Sequence, residues 1–196
     1  MTASEDEAHE LVRRHLRRSL PGSDVLVLKR NNSENRLEAA TALQPGSALA
    51  ARLQGAEPRT CLALRFGRTH REDPTRTPLL SCLLCAEDGG RSTCEPLLVA
   101  GQVIGSVLVN HEDALDVAEV TRIKNSVAQS APVLGNLRNF ALAEFRANND
   151  SLTGLPNKRA TDDTLKRMVA QANRSLTPLA AAMLDLDHFN RRRRPH

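Results

Sequence analysis

Residues 94–109 read CEPLLVAGQVIGSVLV, two apolar runs separated by a turn at Gly101. Two strands meeting at a glycine turn form a β-hairpin, and a hairpin is antiparallel by construction. The sheet that receives it is therefore expected to be antiparallel. Neighbouring stretches supply its partners. VLVLKR (25–30) and RLEAAT (36–41) flank the turn NNSEN, and PLLSCLLC (78–85) reads as a further strand ahead of the turn EDGG. Residues 47–54 read as a short apolar helix, and TCLALRFGRTH (60–70) follows, with its pattern ending at Gly67.

Helices bracket this region. Ser4 with Glu7 three residues later fits a capping box, and Ala8, Leu11, Val12 and Leu16 share a face before LPGSD ends the helix. From about residue 114 to 148 the pattern is helical again. Val120, Ile123, Val127, Leu134, Leu137 and Ala141 form a seam suited to a partner helix, or to packing on the chain's own domain. Ser130 and Glu144 interrupt the seam, and Pro132 is expected to kink or divide the helix. The fold class is α+β, an antiparallel sheet flanked by helices, with residues 1–113 as a first domain and 114–148 as a connecting helix.

Past residue 148 the character changes. NNDSLTGLPNKR (148–159) is turn-rich, a helix with Leu165, Met168, Val169 and Ala172 on one face follows, and LTPLAAAMLDLDHF (176–189) ends the ordered pattern. Its first part reads as a strand buried on both faces. Asp185 and Asp187 would then point to one side and Leu186 to the other. Carboxylates at a buried strand end are costly unless paired or bound to a cation, and Mg²⁺ takes oxygen ligands with a substrate's phosphates completing its shell. The plain alternative is a solvated strand end.

The two motifs together resemble the opening of the GGDEF domain of diguanylate cyclases. Asp150, Leu152, Thr153, Gly154, Leu155, Asn157 and Arg159 match that family's D-x-L-T-G-L-x-N-R-R opening motif, and Asp185, Asp187 and Phe189 match its later D-x-D-x-F strand. The resemblance implies a partial α/β domain at 149–189, GTP as substrate, cyclic di-GMP as product and Mg²⁺ as cofactor. Asp185 and the Leu186 backbone carbonyl would bind the metal, and backbone at His188 and Phe189 would approach the phosphates. Residues 150–157 would shape the turn into the first helix. Asn190 stands where the family usually has Lys, and an arginine stands where its guanine-reading Asn is expected. The Gly-Gly-Asp/Glu-Glu-Phe hairpin is not among these residues, so no cyclase activity is expected of this chain, whose NRRRRPH ending reads as premature or out of frame.

The first domain resembles a GAF domain, a small-molecule or light-sensing module, through CLALRFGRTH (61–70) and the 94–109 hairpin. The resemblance implies an unidentified small ligand and a helix that couples sensor to output. Self-association through residues 120–141 follows from the seam. Cys61, Cys82, Cys85 and Cys94 are possible sensor thiols or buried structural ones. In a strand Cys82 and Cys85 would face opposite sides, and no spacing matches a four-ligand zinc site. His70 reads as a loop residue and 111–113 as a solvated turn.

Composition narrows the partners. The only aromatics are Phe66, Phe140, Phe145 and Phe189, which argues against base stacking. Net charge is +4 from 27 basic and 23 acidic residues, and Arg191 to Arg194 account for all of it. Residues 190–196 therefore read as a basic, disordered tail rather than part of a nucleic-acid interface. No apolar run reaches the ~20 residues of a membrane span, and the acidic MTASEDEAHE is unlike a signal peptide. A cytoplasmic signalling protein of GAF–GGDEF type is the reading, with a stand-alone GAF ligand-sensing or dimerising module as the alternative.

Overall fold

The computed structural model describes residues 4–31, 35–75, 79–85 and 90–184. The chain divides into two compact units, Met1–Ala141 and Leu142–His196.

The first unit is α+β. In chain order it contains α1 (Glu5–Ser19), β1 (Asp24–Asn31), β2 (Arg36–Ala39), α2 (Ala48–Leu53), a 3₁₀ turn (Pro58–Thr60), α3 (Leu62–Phe66), β3 (His70–Glu72), β4 (Arg91–Val99) and β5 (Gln102–His111). α4 (Val117–Asn148) begins in this unit and α5 (Lys158–Ser175) lies in the second. The strands form one sheet in the order β2-β1-β5-β4-β3, with every neighbouring pair antiparallel.

The β4–β5 hairpin closes on Ala100 and Gly101, between the paired Val99 and Gln102. Both turn residues have positive φ, 48° and 79°, the backbone that matches strand twist in a two-residue loop. β1 then lies against β5 along its length, and Gly105 lets the strands approach. A Cβ built at Gly105 would meet the Leu28 carbonyl oxygen at 2.2 Å.

Side chains alternate across the sheet, so Val25, Leu26, Val27 and Leu28 can all be buried, in two different cores. Leu26 and Leu28 face a cluster with Leu37, Leu49, Leu62, Leu64 and the four cysteines. Val25 and Val27 face a second cluster with Leu16 and Leu20 at the end of α1 and with Ile123, Val127, Ala131 and Leu134 of α4. The unit is therefore three layers: α1 and α4, the sheet, then α2, α3 and connecting chain.

Several expectations are corrected. Residues 79–85 are not a strand. The ladder beside β4 is taken by His70–Glu72, so the segment turns and delivers Cys82, Leu84 and Cys85 inward while Leu79, Leu80 and Leu83 stay exposed. The pattern that stops at Gly67 is a short helix, ended there by a φ of 61°. On α1, Leu11 is exposed and His9 is buried in its place. Pro132 does not divide α4, which is continuous through it.

In the second unit α5 is capped by Asn157, whose side chain accepts from the Ala160 N–H at 3.0 Å, and none of its residues is buried. Residues 177–184 form no strand and are exposed. A strand buried on both faces needs pairing neighbours, and among the described residues of this unit there is none.

Candidate functional site

A cleft of roughly 740 Å³ opens beside the cysteine-bearing core, lined by Arg30, Asn35, Glu57, Arg59, Leu64, Arg65 and Val103 among others. Three separate stretches build it: the end of β1, the 3₁₀ turn with α3, and the start of β5. Leu64 is a buried α3 residue, and Arg65 on the next position is exposed. Three arginines against one glutamate give the cleft a lining suited to an anion, since arginine's planar fork matches carboxylate and phosphate oxygens.

The cleft is tied to α4. Arg138 Nη2 donates to the Arg30 carbonyl at 2.8 Å, and its Nη1 donates to the Ile104 carbonyl at 3.3 Å. One α4 side chain thus grips two strands, one of them at a residue of the cleft wall. At the other end of the helix Arg122 donates to the Ser19 carbonyl at 2.6 Å. Of the seam residues, Ile123, Val127 and Leu134 are buried in the protein's own core and Leu137 packs against it. The large apolar residues exposed on this part of α4 are Val117, Val133 and Phe140.

The four cysteines converge. All are buried and none is in a disulfide. Cys61 Sγ lies 3.7 Å from Cys94 Sγ and 3.9 Å from Cys85 Sγ. These three sulfurs lie within 4.8 Å of one another. Cys82 accepts from the Leu62 N–H at 3.4 Å. The expectation that Cys82 and Cys85 face opposite sides fails because they come from a turn. Sharing of S–H hydrogen bonds with Cys61 and Cys85 holds the Cys94 thiol well below the ordinary range, whereas bonds from Cys61, Cys82 and Cys94, followed by burial, push Cys85 up. Glu72, buried on β3, accepts from the Cys82 N–H and sits 2.7 Å from His70 Nε2. His70 is thus a strand residue and not a loop one.

His111 is buried at the end of β5, not in a solvated turn. Its Nδ1–H donates to the Asp113 carbonyl at 2.7 Å, and its Nε2 accepts from the Thr93 hydroxyl at 3.1 Å. Burial lowers its value, as it does for His9.

The opening motif is a hydrogen-bonded turn. Asp150 Oδ1 accepts from the Thr153 N–H at 3.0 Å, the Thr153 hydroxyl at 2.9 Å and the Leu152 N–H at 3.2 Å. The Thr153 N–H, the Thr153 hydroxyl and the Leu152 N–H hold its carboxyl below the usual range. The Asp150 N–H donates to the Leu155 carbonyl at 2.8 Å, Gly154 supplies a positive φ of 70°, and Asn157 Nδ2 reaches the Ala147 carbonyl at 2.8 Å. Asp185, Leu186, His188 and Phe189 lie outside the described residues, as do Asp187 and 190–196.

Arg30, Arg59, Arg65 and Arg138 were not singled out by the sequence. They come from three distant stretches with no spacing in common, and the pair Arg59 and Arg65 around a short apolar run was the one local signal.

Residues 147–194 match the family "Diguanylate cyclase, GGDEF domain". No curated protein matches the chain. Among solved structures the chain is similar to the GAF domain/HD domain protein from Geobacter sulfurreducens, with 20% identity, a TM-score of 0.55, and coverage of 70% of this chain and 95% of that one. It is also similar to the GAF domain of a phosphoenolpyruvate-protein phosphotransferase from Coxiella burnetii, with 11% identity, TM-score 0.53, and 72% and 88% coverage. The GAF-B domain of DevS from Mycobacterium smegmatis gives 16% identity, TM-score 0.50, and 72% and 99% coverage. At these identities the likeness is one of fold. No helix among the described residues is long and apolar enough to cross a membrane. The chain joins a GAF-type fold to a segment that matches the GGDEF family.

Proposed function

We propose that the first unit senses a small phosphate-bearing anion in the arginine-lined cleft and passes its bound state to α4, as the sensory part of a cytoplasmic GAF–GGDEF signalling protein. The observation that carries this is the Arg138 clasp. It joins the backbone of a cleft residue, Arg30, to the helix that leads toward the GGDEF segment. An anion held by Arg30, Arg59 and Arg65 draws on the same strand end that Arg138 grips. Titrating pyrophosphate and nucleoside phosphates against the thermal transition tests the anion. A rise in Tm that disappears in the R59A/R65A double variant is expected. No rise with any of them would remove the anion from the account.

In an intact GGDEF domain the output would be cyclic di-GMP and two pyrophosphates from two GTP, with Mg²⁺ held by Asp185 and the Leu186 carbonyl. A polypeptide of these 196 residues carries Asp185 and Leu186 without the Gly-Gly-Asp/Glu-Glu-Phe hairpin. Phosphoryl transfer depends on positioning and charge neutralisation, so incubation with GTP and Mg²⁺ is expected to give no cyclic di-GMP. Self-association, if it uses α4, falls to Val133 and Phe140, seven positions apart and exposed, because Ile123, Val127 and Leu134 are occupied.

The stand-alone reading, a GAF ligand-sensing or dimerising module without enzymatic activity, has one observation in its favour. The first unit closes two cores of its own, whereas α5 buries none of its residues. A ligand-induced shift in Tm that survives deletion of residues 149–196 unchanged favours it.

A further inference from the structure

The four cysteines of this chain come from three separate stretches and sit together in one core. Cys61 precedes α3, Cys82 and Cys85 occupy one irregular turn, and Cys94 lies on β4 opposite Leu108. Apolar packing alone does not ask for all four thiols of a chain at one point. Nor does it explain why 79–85, an apolar run, is held as a turn with Leu79, Leu80 and Leu83 in solvent.

The sulfur spacing has a chemical meaning. Two thiolates on one zinc, each about 2.3 Å from it in a tetrahedral array, stand about 3.8 Å apart. Cys61 makes such distances with both neighbours, 3.7 Å to Cys94 and 3.9 Å to Cys85. Cys82 and Cys85 have the C-x₂-C spacing by which a turn presents two sulfurs to one ion. Outer hydrogen bonds of the kind that orient ligands are also in place. The Leu62 N–H points at Cys82 Sγ, the Ser92 hydroxyl donates to the Cys85 carbonyl at 2.8 Å, and Glu72 holds the Cys82 backbone.

We propose that Cys61, Cys85 and Cys94 form a thiolate zinc site that staples the 79–85 turn to α3 and β4, and that Cys82, whose Sγ bonds the Leu62 N–H and the Thr60 carbonyl, completes the tetrahedron only by turning toward the trio. Each sulfur binds as its thiol releases a proton to solvent, and no electron is transferred. Because the sulfurs are buried, loading accompanies folding rather than exchange at a surface.

The test uses the full chain, reduced and stripped of metal by a chelator, then titrated with Co²⁺ and afterwards with Zn²⁺ without oxygen. About one Co²⁺ per chain is expected, with sulfur-to-cobalt charge-transfer and tetrahedral visible bands that Zn²⁺ abolishes, and zinc should raise Tm. The variants C61S, C85S and C94S should each lose these bands. If a variant fails to fold, the wild-type titration decides alone. A folded, reduced wild-type chain that develops no charge-transfer band overturns the site. So does full retention of the bands in both C61S and C94S, or a Cys61–Cys94 disulfide in freshly isolated protein.

Discussion

Gly105 and Gly135 both lack a side chain where another element presses on them, but the neighbours differ. At Gly105 the neighbour is the Leu28 carbonyl, 2.2 Å from a built Cβ. Backbone in a five-stranded sheet cannot yield, so Gly105→Ala is expected to cost about 3 kcal/mol or more in denaturant unfolding. At Gly135 the neighbours are Val99 methyls at 2.9 and 3.0 Å. Overpacking there opposes the helix propensity that alanine gains over glycine, about 1 kcal/mol, so Gly135→Ala should fall within about 1 kcal/mol of wild type. Equal effects of the two substitutions would contradict this packing. The residue scale also hid the thiol cluster. Spacing alone gave Cys82 and Cys85 opposite faces of a strand, an inference that was sound for a strand and void for a turn.

The two buried histidines give the pH dependence its sign. Burial lowers His9 and His111 from the ordinary 6.5, so the fold keeps both neutral. The unfolded chain therefore binds more protons between the folded values and 6.5, and stability is full above 6.5 and lost as pH falls through that window. Melts near pH 7.5 and near pH 5 should show a lower Tm at the acid end, with a shallower difference in H111Q. A Tm that holds or rises on acidification would contradict the assignment.

Among the elements, α4 is the one whose sequence invites the wrong shape. Pro132 offers no N–H to the Ala128 carbonyl, yet the helix runs on because Ile123, Val127, Ala131 and Leu134 are buried on both sides of it. Pro132 itself is exposed, so Pro132→Ala should stabilise the unit by about 1–3 kcal/mol, visible as a raised Tm. A lowered Tm would mean that the proline shapes the helix for its packing. The β4–β5 hairpin was legible because its turn and its apolar runs agree. The 78–85 and 176–184 runs were misread for one reason: apolar composition says that a segment wants burial or pairing, while the availability of a neighbouring strand decides whether it is a strand. His70–Glu72 took the ladder position beside β4, and residues 177–184 have no described partner.

At the scale of the whole molecule, the GAF-type fold and the GGDEF-matching segment were legible and the arginine-lined cleft was not. The GAF-type sheet announces itself through local patterns, and the opening turn of the GGDEF segment through closely spaced residues from Asp150 to Asn157. The cleft arginines and Arg138 meet only through the topology of the sheet, which brings β1, β5 and α4 together. In the proposed function the state of the cleft reaches α4 through Arg138. Hydrogen exchange on the intact chain, with and without saturating pyrophosphate, reports this coupling. Slower exchange at the end of β1, at α3 and in the α4 residues around Arg138 is expected, with the α4 effect alone lost in R138A. Protection confined to the cleft in the wild-type chain, or an α4 response that persists in R138A, would contradict it.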